Sequence, residues 1–254
     1  MNLVIDIGNS SVKIGLFEGE NLLSQGTFSV YPRKETDEWG IVLISWLKTC
    51  FKHPKVDKVI IASVVPSILL PVKEAICKYL QITPKQLTPK LAGIPILYEN
   101  PEKLGADRIA NAVAAVRMYK LPAVVVDFGT ATTFDVISEK GEYVGGVIAP
   151  GVQAVCDSLW QRAEKLFPVE FRKPLYVIGK NTYENLTSGV FHSVLGATEY
   201  ILEMIEREVG KKVNVIATGG WGKIVAPECK KIKKINPNLT LQGLNFVALD
   251  LNKR

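Results

Sequence analysis

Binding a phosphate chain calls for backbone donors gathered at a tight bend, a nearby cation, and a carboxylate to hold a divalent metal. The run Asp6, Ile7, Gly8, Asn9, Ser10, Ser11, Val12, Lys13 contains residues of each kind. Gly8 permits a close bend, and Asn9, Ser10 and Ser11 are small polar residues whose backbone N–H groups can line a concavity fit for phosphate oxygens. Lys13 can add a point charge to the same anion, while Asp6 is acceptor-only and suits a divalent metal. A single bend of this type is more often structural than functional, but this one has an echo. In Val124 to Ile137, VVVDFGTATTFDVI, placing Asp127 on Asp6 puts Gly129 on Gly8 and Thr130 on Asn9. Two such hairpins about half a chain apart imply two related halves, with one phosphate-bearing ligand between their turns as the economical reading.

A third carboxylate, Asp107, opens GADRIANAVAAVRMYK at Gly105. Alanine and straight-chain residues predict a helix here, with Asp107 and Arg108 in its first turn. An acid in that position complements the helix dipole, and it is equally a candidate general base at the mouth of a cleft. Spacing alone leaves both readings open.

The elements that must hold these residues follow from hydrophobic period. Leu3 to Phe17 reads as strand, turn, strand, and Asn21 to Val30 as more strand. Trp39 to Phe51 has helical spacing, Val59 to Val65 reads as an inner strand closed by Pro66, and Pro66 to Leu80 resumes a helix. Ile94 to Tyr98 is expected as the next strand. Glu142 to Gly151 is another, its glycines allowing close backbone approach. Helices are expected over Gly151 to Phe167 and Thr182 to Val209, the latter opened by Asn181 or Thr182 with Glu184 near a capping-box position. Val213 to Ala217 predicts a strand running into Thr218, Gly219 and Gly220, followed by a strand over Ile232 to Asn236 and a helix over Leu239 to Leu251. The alternation is that of an α/β layered protein.

At 254 residues and 47% hydrophobic the chain can bury a large core, as two units of roughly 100 to 150 residues. No apolar run reaches the roughly 18 residues that span a bilayer and no charged leader precedes the first strand, so a cytoplasmic protein is expected. Cys50, Cys77, Cys156 and Cys229 stand singly among apolar neighbours, which predicts reduced, mostly buried thiols. The net charge of +6 includes clusters at Lys211, Lys212 and at Lys230, Lys231, Lys233, Lys234. Without interleaved aromatics these read as solvated faces rather than a nucleic-acid surface. The chain has no P-loop, no dinucleotide fingerprint, no H-E-x-x-H and no G-x-S-x-G, and its two histidines, His53 and His192, stand alone.

Seven blocks occur in the order found in type III pantothenate kinases: DIGNSSVK from Asp6, ASVVP from Ala62, NPEKLGADRIANAVAA from Asn100, VVDFGTATTFD from Val125, GGVIAPG from Gly145, IGKNTYENLTSG from Ile178, and TGG at Thr218. The chain resembles that family over nearly its whole length, departing at Ser10, where threonine is frequent, and at Trp221, where a smaller apolar residue is usual. The resemblance implies two duplicated ribonuclease H-like domains of the actin and hexokinase type, 1–118 and 119–254, with a nucleotide cleft between them. It implies ATP-dependent phosphorylation of pantothenate on its primary hydroxyl, the first step toward coenzyme A. Asp6 to Lys13 would hold the ATP phosphates and their Mg²⁺, with Thr130 a further phosphate contact. Asp127 would bind a monovalent cation, K⁺ or NH₄⁺. Asp107 would be the base, and Tyr98, Gly105, Ala106, Asp107, Arg108 and Thr182 would contact pantothenate. Arg108 would pair with either the pantothenate carboxylate or Asp107, and Thr182 is either a cap or a substrate contact. The resemblance also implies a homodimer. Two alternatives stand beside it: a non-catalytic regulatory or DNA-associated member of the same fold, and a kinase for another small alcohol or acid.

Overall fold

The computed structural model describes residues 1–50, 55–161 and 166–251. The apolar run before Asp6 does not alternate, as befits a strand covered on both faces, and it forms β1 (Asn2–Ile7), buried at every residue. The chain then meanders through β2 (Ser11–Glu18) and β3 (Asn21–Ser29) and crosses by α1 (Thr36–Cys50) to β4 (Lys58–Ser63). There follow α2 (Pro66–Ala75), a single π-helical turn over Ile76–Leu80, a two-residue β5 (Lys85–Gln86), α3 (Pro89–Ala92) and α4 (Ala106–Met118). These strands form one sheet in the order β3-β2-β1-β4-β5, with β1, β2 and β3 antiparallel and β4 and β5 parallel to β1.

The second sheet repeats this plan. It is built from β6 (Ala123–Phe128), β7 (Ala131–Ile137), β8 (Tyr143–Pro150), β9 (Asn214–Thr218) and β10 (Ile232–Ile235), in the order β10-β9-β6-β7-β8. Read from β8, it is again a three-strand antiparallel meander followed by two parallel strands. The helices of this part are α5 (Val152–Trp160), α6 (Thr182–Val209) and α7 (Gly222–Val225). Fold class, duplication and most elements agree with the sequence reading. Among the described residues no helix is long and apolar enough to cross a membrane.

The final helix, α8 (Leu239–Asp250), departs from a simple division of the chain. The chain forms two compact units, Met1–Met118 with Asn238–Arg254, and Tyr119–Pro237. The expected second range, 119–254, differs from the second unit by this helix. Nine of its residues are buried, from Leu239 through Ala248, so it needs cover on nearly every side. It packs against α4, β1 and β4 of the first unit.

Other differences have local causes. Ile94 to Tyr98 is not a strand but an isolated bridge at Ile96, because Pro95 supplies no ladder donor and β5 takes the place beside β4. The helix expected to reach Phe167 ends at Trp160, and the one expected to start at Pro66 turns π-helical after Ala75. The end of the α1 prediction, Phe51, lies outside the described residues, as does His53. All four cysteines are free, but only Cys156 and Cys229 are buried and Cys77 is exposed. Two of the clustered lysines have acidic partners: Lys231 with Glu206 and Lys211 with Glu139.

Candidate active site

In the first unit, Asp6 is the penultimate residue of β1, with 9% of its surface exposed. The antiparallel register sets it directly opposite Lys13 of β2. Side chains alternate along a strand, so Asp6 and Lys13 share the face of Val4 and Gly15. That face is covered by α8, since a Cβ on Gly15 would lie 3.3 Å from Leu241. The opposite face carries the core of Leu3, Ile5, Ile7, Ile14, Trp39, Leu43 and Val72. The turn between the strands is closed by Gly8 N–H donating to the Ser11 carbonyl at 3.0 Å. That amide is therefore consumed by the turn rather than offered to a ligand, and the exposed tip is Asn9 and Ser10.

Asp107 sits on the second residue of α4, whose first helical bond runs from Ile109 N–H to the Gly105 carbonyl. The Asp107 carboxylate accepts the Arg108 main-chain N–H at 2.8 Å. A Cβ on Gly105 would lie 2.6 Å from that carboxylate oxygen, so glycine is the residue that leaves room for it. Arg108 is 7% exposed and Ala106 8%, whereas Tyr98 on the preceding segment is 37% exposed.

In the second unit the matching hairpin is one residue tighter. Phe128 pairs with Thr132 where Ile7 pairs with Val12, and Gly129 N–H closes the turn on the Ala131 carbonyl at 3.1 Å. The shorter loop shifts the register by one, so Asp127 faces Thr133. On its other side Asp127 neighbours Thr218 of β9. Two glycines wall this turn. A Cβ on Gly219, whose φ is +87°, would lie 2.4 Å from the Asp127 carboxylate, and one on Gly151 would lie 1.9 Å from the Thr130 carbonyl. Asp127 thus occupies a close-walled notch, while Thr130 is exposed at the tip.

Thr182 is the first residue of α6. The cap is Asn181, whose side chain accepts Glu184 N–H at 2.9 Å, while Glu184 accepts Lys180 N–H at 2.8 Å. Thr182 is exposed and takes no part in the cap.

The profile of the type III pantothenate kinase family matches residues 2–204. The chain is 42% identical over 250 residues to the type III pantothenate kinase of Syntrophus aciditrophicus (strain SB), covering 97% of this chain and 98% of that protein. The chain belongs to the type III pantothenate kinases. The family member from Moorella thermoacetica is likewise 42% identical, over 97% of this chain and 98% of that one. A ROK hexokinase from Thermus thermophilus shares the fold at a TM-score of 0.57, with 11% identity over 98% of this chain and 99% of that chain.

In this pantothenate kinase the unusual Trp221 follows the Gly219-Gly220 turn and donates its main-chain N–H to the Phe128 carbonyl at 3.3 Å. Its ring meets Phe171 edge-on at 5.5 Å, and Phe171 stacks on Phe191 at 5.8 Å. Trp221 thereby ties the segment ahead of α6 to the turn after β9. No sequence pattern announced that role, because Phe171 is separated from Trp221 by the whole of α6.

Proposed function

We propose that this chain phosphorylates the primary hydroxyl of pantothenate with ATP, with Asp107 as the general base. The supporting observation is the fixed carboxylate: a helix-borne acid in its first turn, oriented by the Arg108 N–H and given room by Gly105. Phosphoryl transfer passes through a loose transition state, so positioning and charge neutralisation dominate, and a carboxylate of ordinary basicity suffices because the hydroxyl proton leaves late. Asp107 accepts that proton. Tyr98, Gly105, Ala106, Arg108 and Thr182 contact pantothenate, with Arg108 the natural partner of its carboxylate.

Asp6 to Lys13 hold the ATP phosphates, with Lys13 on the anion and Asp6 toward the phosphate-bound Mg²⁺, and Thr130 is a further phosphate contact. The residues fit these groups: Asp6 and Lys13 are cross-strand neighbours at the end of a hairpin with a polar exposed tip. Asp127 holds a monovalent cation, K⁺ or NH₄⁺. Its notch, which a Cβ on Gly219 would fill, favours a small cation there. Bound together, the two ions offset part of the triphosphate charge. The enzyme works in the cytoplasm as a homodimer, a state supported by the solvent-exposed apolar run Leu175, Tyr176, Val177, Ile178.

Asp107→Asn tests the assignment. Coupled ADP release with pantothenate is expected to vanish while the melting temperature and ATP binding stay unchanged, and near-normal turnover would refute the base.

A further inference from the structure

We infer that the C-terminal helix places the base, with Thr240 as a positioning residue acting through Asn111. This rests on Asp107 being the base. Asp107 and Asn111 lie four residues apart on α4 and so share one face of the helix. Asn111 is 1% exposed, and its side-chain carbonyl accepts the Thr240 hydroxyl of α8 at 2.8 Å. Beside that bond the two helix backbones touch. A Cβ on Gly243 would lie 1.9 Å from the Ala110 carbonyl. The crossing therefore sits in the turn directly after Asp107.

The same helix is tied to the strand that carries Asp6. The Asn2 side chain, at the start of β1, donates to the Asn245 side-chain Oδ1 at 3.0 Å, and the Asn245 side-chain amide donates to the Gly19 main-chain carbonyl at 2.9 Å. Lys58 of β4 donates to the Ala248 carbonyl at 3.1 Å. Helix α8 thus acts as a common ruler: one end sets α4 and Asp107, and the other grips the strand carrying Asp6. Apolar contacts alone tolerate sliding between helices, whereas a buried hydrogen bond between single side chains fixes register. A displacement of about 1 Å at a reacting group costs on the order of 100-fold in rate.

The test compares Thr240→Val, which keeps the shape and removes the hydroxyl, with Thr240→Ser, which keeps the hydroxyl. Val72→Ala serves as a stability control, since Val72 is buried in the core on the opposite face of the sheet. Assays run well below each melting temperature. Thr240→Val is expected to lower kcat by roughly 10- to 100-fold while KM for ATP and pantothenate changes little, and Thr240→Ser should restore most of kcat. Val72→Ala should lower the melting temperature and leave kcat intact. Wild-type kcat in Thr240→Val overturns the inference, as does an equal kcat loss in Val72→Ala or no rescue by serine. If Thr240→Val does not yield folded protein, Thr240→Ala removes the hydroxyl without placing a new methyl against Asn111 and is read the same way. Asp107→Asn is measured alongside. Turnover in that variant removes the base assignment itself, whereas an inactive Asp107→Asn with a fully active Thr240→Val removes only the role of α8.

Discussion

Gly105→Ala isolates the orientation of the Asp107 carboxylate from its presence. The added Cβ would lie 2.6 Å from the carboxylate oxygen that now accepts the Arg108 N–H. A carbon–oxygen contact relaxes at about 3.3 Å or more, so the oxygen must retreat by roughly 0.7 Å and the 2.8 Å bond to Arg108 N–H is stretched or broken. The obstructing atom belongs to a side chain rather than to backbone, so the fold should yield cheaply. Alanine in place of a glycine that caps a helix costs about 1 kcal/mol at most, equivalent to a fall of a few degrees in melting temperature for units of this size. Catalysis is less tolerant. A shift approaching 1 Å corresponds to a loss of about 10- to 100-fold in kcat, or about 1.4 to 2.7 kcal/mol of transition-state stabilisation. Steady-state ADP release over a pantothenate titration measures kcat, and a thermal melt measures the fold. A Gly105→Ala enzyme with wild-type kcat would show that the carboxylate's orientation by Arg108 N–H has no part in transfer.

Three further outcomes are expected. Gly219→Ala forces an L-residue to a φ of +87° and sets a Cβ 2.4 Å from Asp127; it should cost about 1 to 3 kcal/mol in a urea melt and abolish stimulation by potassium, and an unchanged potassium response would exclude Asp127 as the cation ligand. Burial pushes the Glu206 carboxyl up, but bonds from Lys231 and the Val213 N–H outweigh it and hold its pKa below the ordinary 4.5. Its stabilising contribution is therefore full above that ordinary value and lost as pH falls through the lower folded one, so the melting-temperature gap between wild type and Glu206→Gln should be a few degrees at pH 7 and close in acid. A gap that widens below pH 4.5 would contradict the sign. Ile178→Asp, at a residue 83% exposed in the apolar run, should convert a dimer to a monomer in sedimentation, and an unchanged dimer would move the interface elsewhere.

The sequence by itself determined what is local. The period-2 and uninterrupted apolar runs around Asp6 and Asp127 specify strands whose turns fall at Gly8 and Gly129, because a glycine-bearing bend between two such runs admits few other conformations. The alanine-rich stretch after Gly105 specifies a helix with Asp107 in its first turn, and the agreement of order and spacing over seven blocks indicates the family. What depended on tertiary packing was everything set by partners distant in the chain. Pro95 and the occupied edge beside β4 denied Ile94 to Tyr98 a strand ladder, a competition invisible in the run itself. The shorter second turn put Thr133 across from Asp127, where a loop as long as that of the first hairpin would bring Phe134, because register follows loop length and not residue type. Helix α8 reads as a helix in any context, but only folding assigns it to the first unit, where Gly243 admits the Ala110 carbonyl and Thr240 reaches Asn111 across 129 positions of chain. A hydrophobic pattern states that a face must be covered; which segment covers it is decided by the fit of side chains that meet only in the folded protein.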